Sequence, residues 1–299
     1  MYTLEQKETL RAHDGTPSQN SLIADKLCGF APASNPLLRV RPIRDTQEAI
    51  SLYRLIYREY LIREFCRPHG SGLHCTYYCF FPESRTLLLE GSGETLGTLS
   101  LITDTECGLP MEAVFPEEIA NIRSSGQRLA EISLLAFDFD LIRGRKYINA
   151  DIQKFSCAFY LFKGMFAYAR KTGITDLVMA VHPKLERLYQ SLGFSREGNV
   201  KAYSSALGKP AVAMHMNIAT WMSGTSGKRK MKNYFLADSG ILQDETDAPE
   251  WDPLMIRILL SGRDVPVKVQ KFLVKSYPGL RFNEAGSTSR TAVYSESKN

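Results

Sequence analysis

Residues 177–194 read LVMAVHPKLERLYQSLGF, and this stretch constrains the fold more than any other. Leu177–Val181 is a short apolar run of the length expected for a buried strand. Pro183 follows at once. It suits the first turn of a helix, where its missing N–H would have had no partner anyway. Leu185, Leu188, Tyr189 and Leu192 then recur at helical spacing, and Gly193 ends the helix as a residue free to take positive φ. Phe194 opens the next apolar segment. A strand, one short helix and a return strand are therefore predicted.

The rest of the chain supplies the partners. Residues 1–36 are polar and punctuated by Gly15, Pro17, Pro32 and Pro36, which predicts a flexible leader. Leu37–Val40 reads as a strand. Asp45 with Glu48 makes a capping-box-like helix start, followed by a stripe of Ala49, Leu52, Tyr53, Ile56, Tyr57 and Tyr60. Tyr77–Phe81, Thr86–Glu90 and Thr95–Thr103 read as strands, with a hairpin at Gly91–Glu94. Glu106–Gly126 is a polar insertion with a short helix, Pro116–Arg123. Arg128–Phe137 is a strand and Asp138–Ala150 a charged connection. Asp151–Thr172 is a long helix ended by Gly173. Ser195–Ser205 and Ala211–Ile218 form a final strand pair. After Trp221 a Gly/Ser-rich and then basic run marks a linker, with helical patterns at Leu254–Leu260 and Val267–Val274. Three units are expected: a leader over 1–36, one α/β (α+β) domain over 37–221, and a linker with a small helical extension over 222–299. The order of elements gives a mixed, mostly antiparallel sheet with few crossovers.

The bulk properties exclude some functions. A net charge of +5 is too mild to indicate nucleic-acid binding by itself, and no nucleic-acid module accompanies it. The apolar run at Phe155–Ala169 is too short to span a bilayer and carries Lys163. The first twenty residues lack the apolar core of a secretory signal, so a cytoplasmic protein with six reduced cysteines is expected. Cys66, His69, His74, Cys75 and Cys79 lie close in sequence without a recognised zinc spacing, and no metal is expected.

Several segments carry a resemblance. VHP…LYQSLGF resembles the end of the GNAT acyltransferase core. RLAEISLLAF (128–137), TLGTLSL (95–101), GLPMEAVFP (108–116) and GKPAVAMHMNI (208–218) are similar, in the right order, to N-acyl amino acid synthases. These are acyl-carrier-protein-dependent GNAT relatives, distantly akin to acyl-homoserine-lactone synthases. The resemblance covers about residues 37–221 and implies a GNAT-like sheet flanked by helices, with a C-terminal appendage. One departure is clear: Leu134 stands where the relatives carry Arg. In the lactone synthases that Arg helps form the substrate site, which argues against homoserine lactone chemistry.

The residues themselves suggest roles. Amide formation from a thioester needs a neutral amine, so an ammonium must lose a proton. Glu131, a carboxylate in an apolar strand, can have a raised pKa and accept it; the alternative is an ion-paired carboxylate at a rim. Ser133 points the same way by strand alternation and is a candidate substrate contact or a satisfied strand serine. The resemblance makes Tyr189 the acid that assists the departing thiolate, beside its reading as a core aromatic. His182 stands where many GNAT enzymes have an Asn that contacts pantetheine; it is a substrate contact or a capped strand-end histidine. Phe155, Phe159, Phe162 and Phe166 form plain core or, for Phe155 and Phe159 in particular, the lining of an acyl tunnel.

The connection LIRGRKYINAD lacks the glycine-rich pyrophosphate loop of coenzyme A-dependent members. Arg143, Arg145 and Lys146 stand there instead, followed by Lys154, Lys163, Arg170 and Lys171. They form either a solvated helix face or a docking face for an acidic acyl carrier protein. The expected reaction moves a fatty acyl group from an acyl-carrier-protein thioester to the amine of an amino acid. The acyl-phosphopantetheine is a passing donor and no cofactor is permanently bound. Membrane contact would come through the acylated product alone. The rivals are an acetyl-CoA-dependent acetyltransferase and a non-catalytic binding protein.

Overall fold

The computed structural model describes residues 38–124, 126–144, 150–223, 229–236, 249 and 251–282. The 1–36 leader, Arg145, Lys146 and the last fifteen residues lie outside these.

The chain enters at β1 (Leu38–Pro42) and turns into α1 (Thr46–Ile62). The Asp45 carboxylate accepts the Glu48 N–H at 2.9 Å, a cap that contributes about 1 kcal/mol. Glu48 turns back to pair with Arg41 in β1, which fixes the angle between strand and helix. Ala49, Leu52, Tyr53, Leu55 and Ile56 are buried on one stripe of α1. After a loop come β2 (Arg85–Gly91) and β3 (Glu94–Thr103), then a turn at Pro110–Ala113 and α2 (Pro116–Arg123). Next are β4 (Leu129–Phe137), α3 (Phe139–Gly144), α4 (Ala150–Lys171), β5 (Asp176–Val181) and α5 (Glu186–Leu192). The hairpin of β6 (Ser195–Tyr203) and β7 (Lys209–Asn217) follows, then α6 (Ile218–Ser223), α7 (Arg229–Leu236), α8 (Pro253–Leu259) and α9 (Val267–Ser276).

The strands form one seven-stranded sheet in the order β1-β2-β3-β4-β5-β7-β6. All neighbours are antiparallel except β4 and β5. Alternation sorts the side chains. Leu87 and Leu89 face α4, while Leu88 faces α1. The α4 face also packs on Tyr234 and Phe235 of α7. The opposite face is covered by α1, α8 and α9 at one end, and by the 110–113 turn and α2 at the other.

The mixed, mostly antiparallel sheet agrees with the sequence reading, and two local expectations need correction. Tyr77–Phe81 is no strand: Tyr77–Phe80 forms a single 3₁₀ turn. Its aromatic residues have strand propensity. Here Phe80 lies edge-on to Trp251 at 4.9 Å and Phe81 meets Phe272 at 4.8 Å, so distant contacts set the backbone. The charged connection after β4 contains helix α3, started by the Asp138 carboxylate accepting the Leu141 N–H at 3.0 Å.

The stretch 177–194 folds as a strand, a helix and a return strand, but Pro183–Leu185 forms a 3₁₀ turn ahead of α5 and Leu185 is exposed rather than on its buried stripe. Gly193 ends α5 at φ 108°, and a Cβ there would strike the Trp221 indole. Any other residue would meet both backbone strain and a clash. No helix among the described residues is long and apolar enough to cross a membrane.

Candidate active site

The site begins where two strands part. β4 pairs with β5 only from Leu129–Glu131 to Asp176–Val178. Beyond that, Ile132–Phe137 keeps to β3 while Met179–Val181 keeps to β7. The gap is a cleft of about 410 Å³, lined by both strand ends. A β-bulge lies along it. Leu134 adopts φ 53°, and the β3–β4 register shifts between Thr98 and Ser100. As a result Leu134 and Ala136 pack on the α1 face, the face that Glu131 and Ser133 would otherwise share by plain alternation. The β4 backbone past Glu131 has no ladder partner on the β5 side.

Glu131 sits at the apex of the opening, 2% exposed. Its Oε2 accepts the Met111 N–H at 2.8 Å. Burial pushes the carboxyl up to about 8; the Met111 N–H works against this and nearby Glu112 adds to it. Near neutral pH the group is therefore poised between acid and base. The Met111 turn is itself braced. Glu112 accepts the Leu109 N–H at 2.8 Å and pairs with Arg123, whose other side forks onto Asp104 at 2.7 and 3.0 Å. The polar insertion at 106–126 thus delivers one backbone donor to Glu131.

Tyr189 reaches the cleft from α5. It is 7% exposed, and burial pushes its phenol up to about 12, so it keeps its proton. Its ring packs edge-on to Phe162 and Phe194, each at 6.1 Å. Ser133 and His182 also line the cleft. The His182 Nδ1 accepts the Lys184 N–H at 3.2 Å, so this residue also caps the turn that leads into α5.

Not every predicted residue converges there. Phe159 lies outside the cleft lining, stacked on Phe235 at 5.8 Å in the layer between α4 and α7. The Phe155 side chain is outside what the structure describes. Arg143 is exposed at the end of α3, about one turn beyond the cleft residue Phe139. Lys163 requires a correction: it is not part of an exposed basic face. It is 1% exposed, with Nζ 4.8 Å from the centre of the Tyr234 ring. Four residues after Phe159 and three before Phe166, it shares their buried stripe beneath α7.

Sequence reasoning missed the far wall. Tyr60, His74, Thr76 and Tyr203 line the cleft across from α5. Tyr60 and His74 pack at 4.9 Å between ring centres. Burial holds the Tyr60 and Tyr203 phenols well above their usual range, and the Glu131 carboxylate adds to this. It pushes the His74 imidazole down to about 4, with Arg263 and His69 adding to the push. His74 is therefore neutral at physiological pH. Lys209, at the start of β7, bridges to Glu64 just past α1 at 2.7 Å, tying the two flanks of the mouth.

The cleft thus joins a splayed strand pair, a bulge in β4 and a buried carboxyl where the pairing stops. The N-acyl amino acid synthase FeeM family matches residues 51–217, more than half of the chain. This chain belongs to that family and is an acyltransferase. Among solved structures, FeeM, an N-acyl amino acid synthase from uncultured soil microbes, is 26% identical; the match covers 63% of this chain and 94% of that one, with a TM-score of 0.54. The acyl-homoserine-lactone synthase LasI is 16% identical over 60% of this chain and 88% of its own, with a TM-score of 0.44. BjaI, a CoA-dependent acyl-homoserine lactone synthase, is 14% identical over 74% and 98%, with a TM-score of 0.47. The curated proteins give no match.

Proposed function

We propose that the protein transfers a fatty acyl group from an acyl-carrier-protein thioester to the α-amine of an amino acid. The observation that carries this reading is Glu131: a buried carboxyl of raised pKa at the point where β4 leaves β5. In its ionised form it takes a proton from the ammonium of the acceptor. The freed amine attacks the thioester carbon, and the unpaired β4 N–H groups stabilise the oxyanion that forms. The nitrogen of that intermediate gives up its second proton to the sulfur, the C–S bond breaks, and amide and thiol result. Tyr189 donates a hydrogen bond to the sulfur as it departs. Glu131 returns its proton to solvent, so one proton is released per turnover.

A carrier-protein donor is favoured over coenzyme A by the absence of a glycine-rich pyrophosphate loop in 141–151 and by the basic residues in its place, of which Arg143 is exposed. Ser133 and His182 then contact the pantetheine arm or the acceptor. The test is incubation with acyl carrier protein bearing fatty acyl chains, or with acyl-CoA, plus pooled amino acids, read by mass spectrometry. An acyl amino acid from the carrier-protein arm is expected. Product from acyl-CoA alone overturns the donor assignment, and no product from either arm overturns the reaction.

A further inference from the structure

The far wall of the cleft, which the proposed reaction leaves for the acceptor, is held from outside the part of the chain that matches the family. His74 and Thr76 belong to the loop between α1 and β2, which runs on into the Tyr77–Phe80 turn. A loop has no ladder to fix it. Here Trp251–Phe282 does so. Arg263 donates from Nη2 to the Leu73 carbonyl at 3.3 Å, next to His74, and from Nε to the Leu259 carbonyl at 3.1 Å. The Tyr277 hydroxyl donates to the Phe80 carbonyl at 2.7 Å. Trp251 and Phe272 pack on Phe80 and Phe81. Ile256 and Leu273, both fully buried, join the cluster that contains Leu52, Tyr53 and Ile56 of α1. Residues 51–217 alone therefore leave one wall of the cleft without its outer support.

We infer that Trp251–Phe282 is a buttress for the acceptor wall, with Arg263 and Tyr277 as positioning residues that set His74 and Thr76 against the incoming amine. This rests on the proposed reaction and assigns acceptor recognition to a wall whose own residues lie inside the family match while its support lies beyond it. His74 is the group through which the wall acts. It faces the cleft, its backbone N–H is fixed on the Tyr53 carbonyl at 3.0 Å, and its ring is braced on Tyr60. The charged and titratable neighbours that bear on it are Arg263 from the buttress and His69 from the same loop. A neutral imidazole so placed offers one N–H and one lone pair to a polar group of the acceptor.

The test uses the full chain with Arg263→Met, Tyr277→Phe and Arg263→Lys, and with Arg257→Met as a control that removes an exposed positive charge from the same region. With the acceptor found in the product assay, Arg263→Met and Tyr277→Phe are expected to raise the acceptor KM about fivefold, the scale of one lost hydrogen bond. The donor KM should stay within about twofold, which is less than such a bond. Arg263→Lys should recover most of the loss, and Arg257→Met should match the unaltered protein. Equal changes in both KM values, or a fall in kcat alone, overturn the inference. If the unaltered protein makes no product, the reaction fails on its own and the buttress is judged by amide exchange. Faster exchange confined to 73–81 in Arg263→Met and Tyr277→Phe upholds it as a wall support, and unchanged exchange overturns it.

Discussion

The two walls of the cleft are built in opposite ways. The proposed reaction gives one wall to the donor and the other to the acceptor; the donor wall, Ile132–Phe137 with Met179–His182 and α5, is made of regular elements and one bulge. Its shape follows from where strands stop pairing. The acceptor wall, Tyr60 with His74, Thr76 and Tyr203, comes from a helix end, a loop and an edge strand, held by residues almost two hundred positions away. A wall of strand ends presents backbone donors, which suit a thioester common to many donors. A wall of loop side chains can change without disturbing the sheet.

The strongest way to break this comparison is at the apex that both walls share. Glu131→Gln keeps the shape and the Met111 contact but removes the base, and kcat/KM should fall by about 10²–10⁴ in the product assay. Equal activity would mean that neither wall works through this carboxyl. Next in size is Phe80→Ala, which empties the packing between loop and buttress and should cost about 3–5 kcal/mol in chemical denaturation. A loss below about 1 kcal/mol, the level of a surface change, would show that the acceptor wall stands without its support.

A pH experiment sharpens the role of the apex. Glu131 has a folded pKa of about 8, above its usual carboxylate value. The folded state therefore holds a proton that the unfolded chain has lost, and the stabilisation present at low pH drains away as pH rises through about 8. The melting temperature should fall between about pH 5 and 8, with a shallower slope in Glu131→Gln. Activity should show a rising limb near the same pH, because the ionised form is the base. The smallest effect separates the walls themselves. Tyr189→Phe should lower kcat about tenfold, the upper range of one hydrogen bond, here to the departing sulfur, with the acceptor KM unchanged. A change in acceptor KM instead would place Tyr189 on the other wall.

The donor wall was legible in the sequence because its parts obey local rules. Leu177–Val181, Pro183 and Gly193 each have one structural use, and a carboxylate inside RLAEISLLAF stands out against its neighbours. The acceptor wall was illegible for physical reasons. His74 and Thr76 lie in no periodic segment, and the strand-like Tyr77–Phe81 is bent by contacts with Trp251 and Phe272. The partner of Glu131 is a backbone N–H, which any residue but proline at 111 would supply. Lys163 gave a readable signal that charge obscured: its spacing from Phe159 and Phe166 put it on the buried stripe, yet its ammonium suggested solvent.

The short parallel pairing of β4 with β5 has one further consequence. It divides the sheet into two antiparallel halves, β1 to β4 and β5 to β6, stitched over Leu129–Glu131 and Asp176–Val178, with the Arg128 carbonyl accepting from the Thr175 and Asp176 N–H groups just before. Glu131 and Val178 are the last pair of this seam, so the same register that ends the pairing also fixes where the buried carboxyl stands.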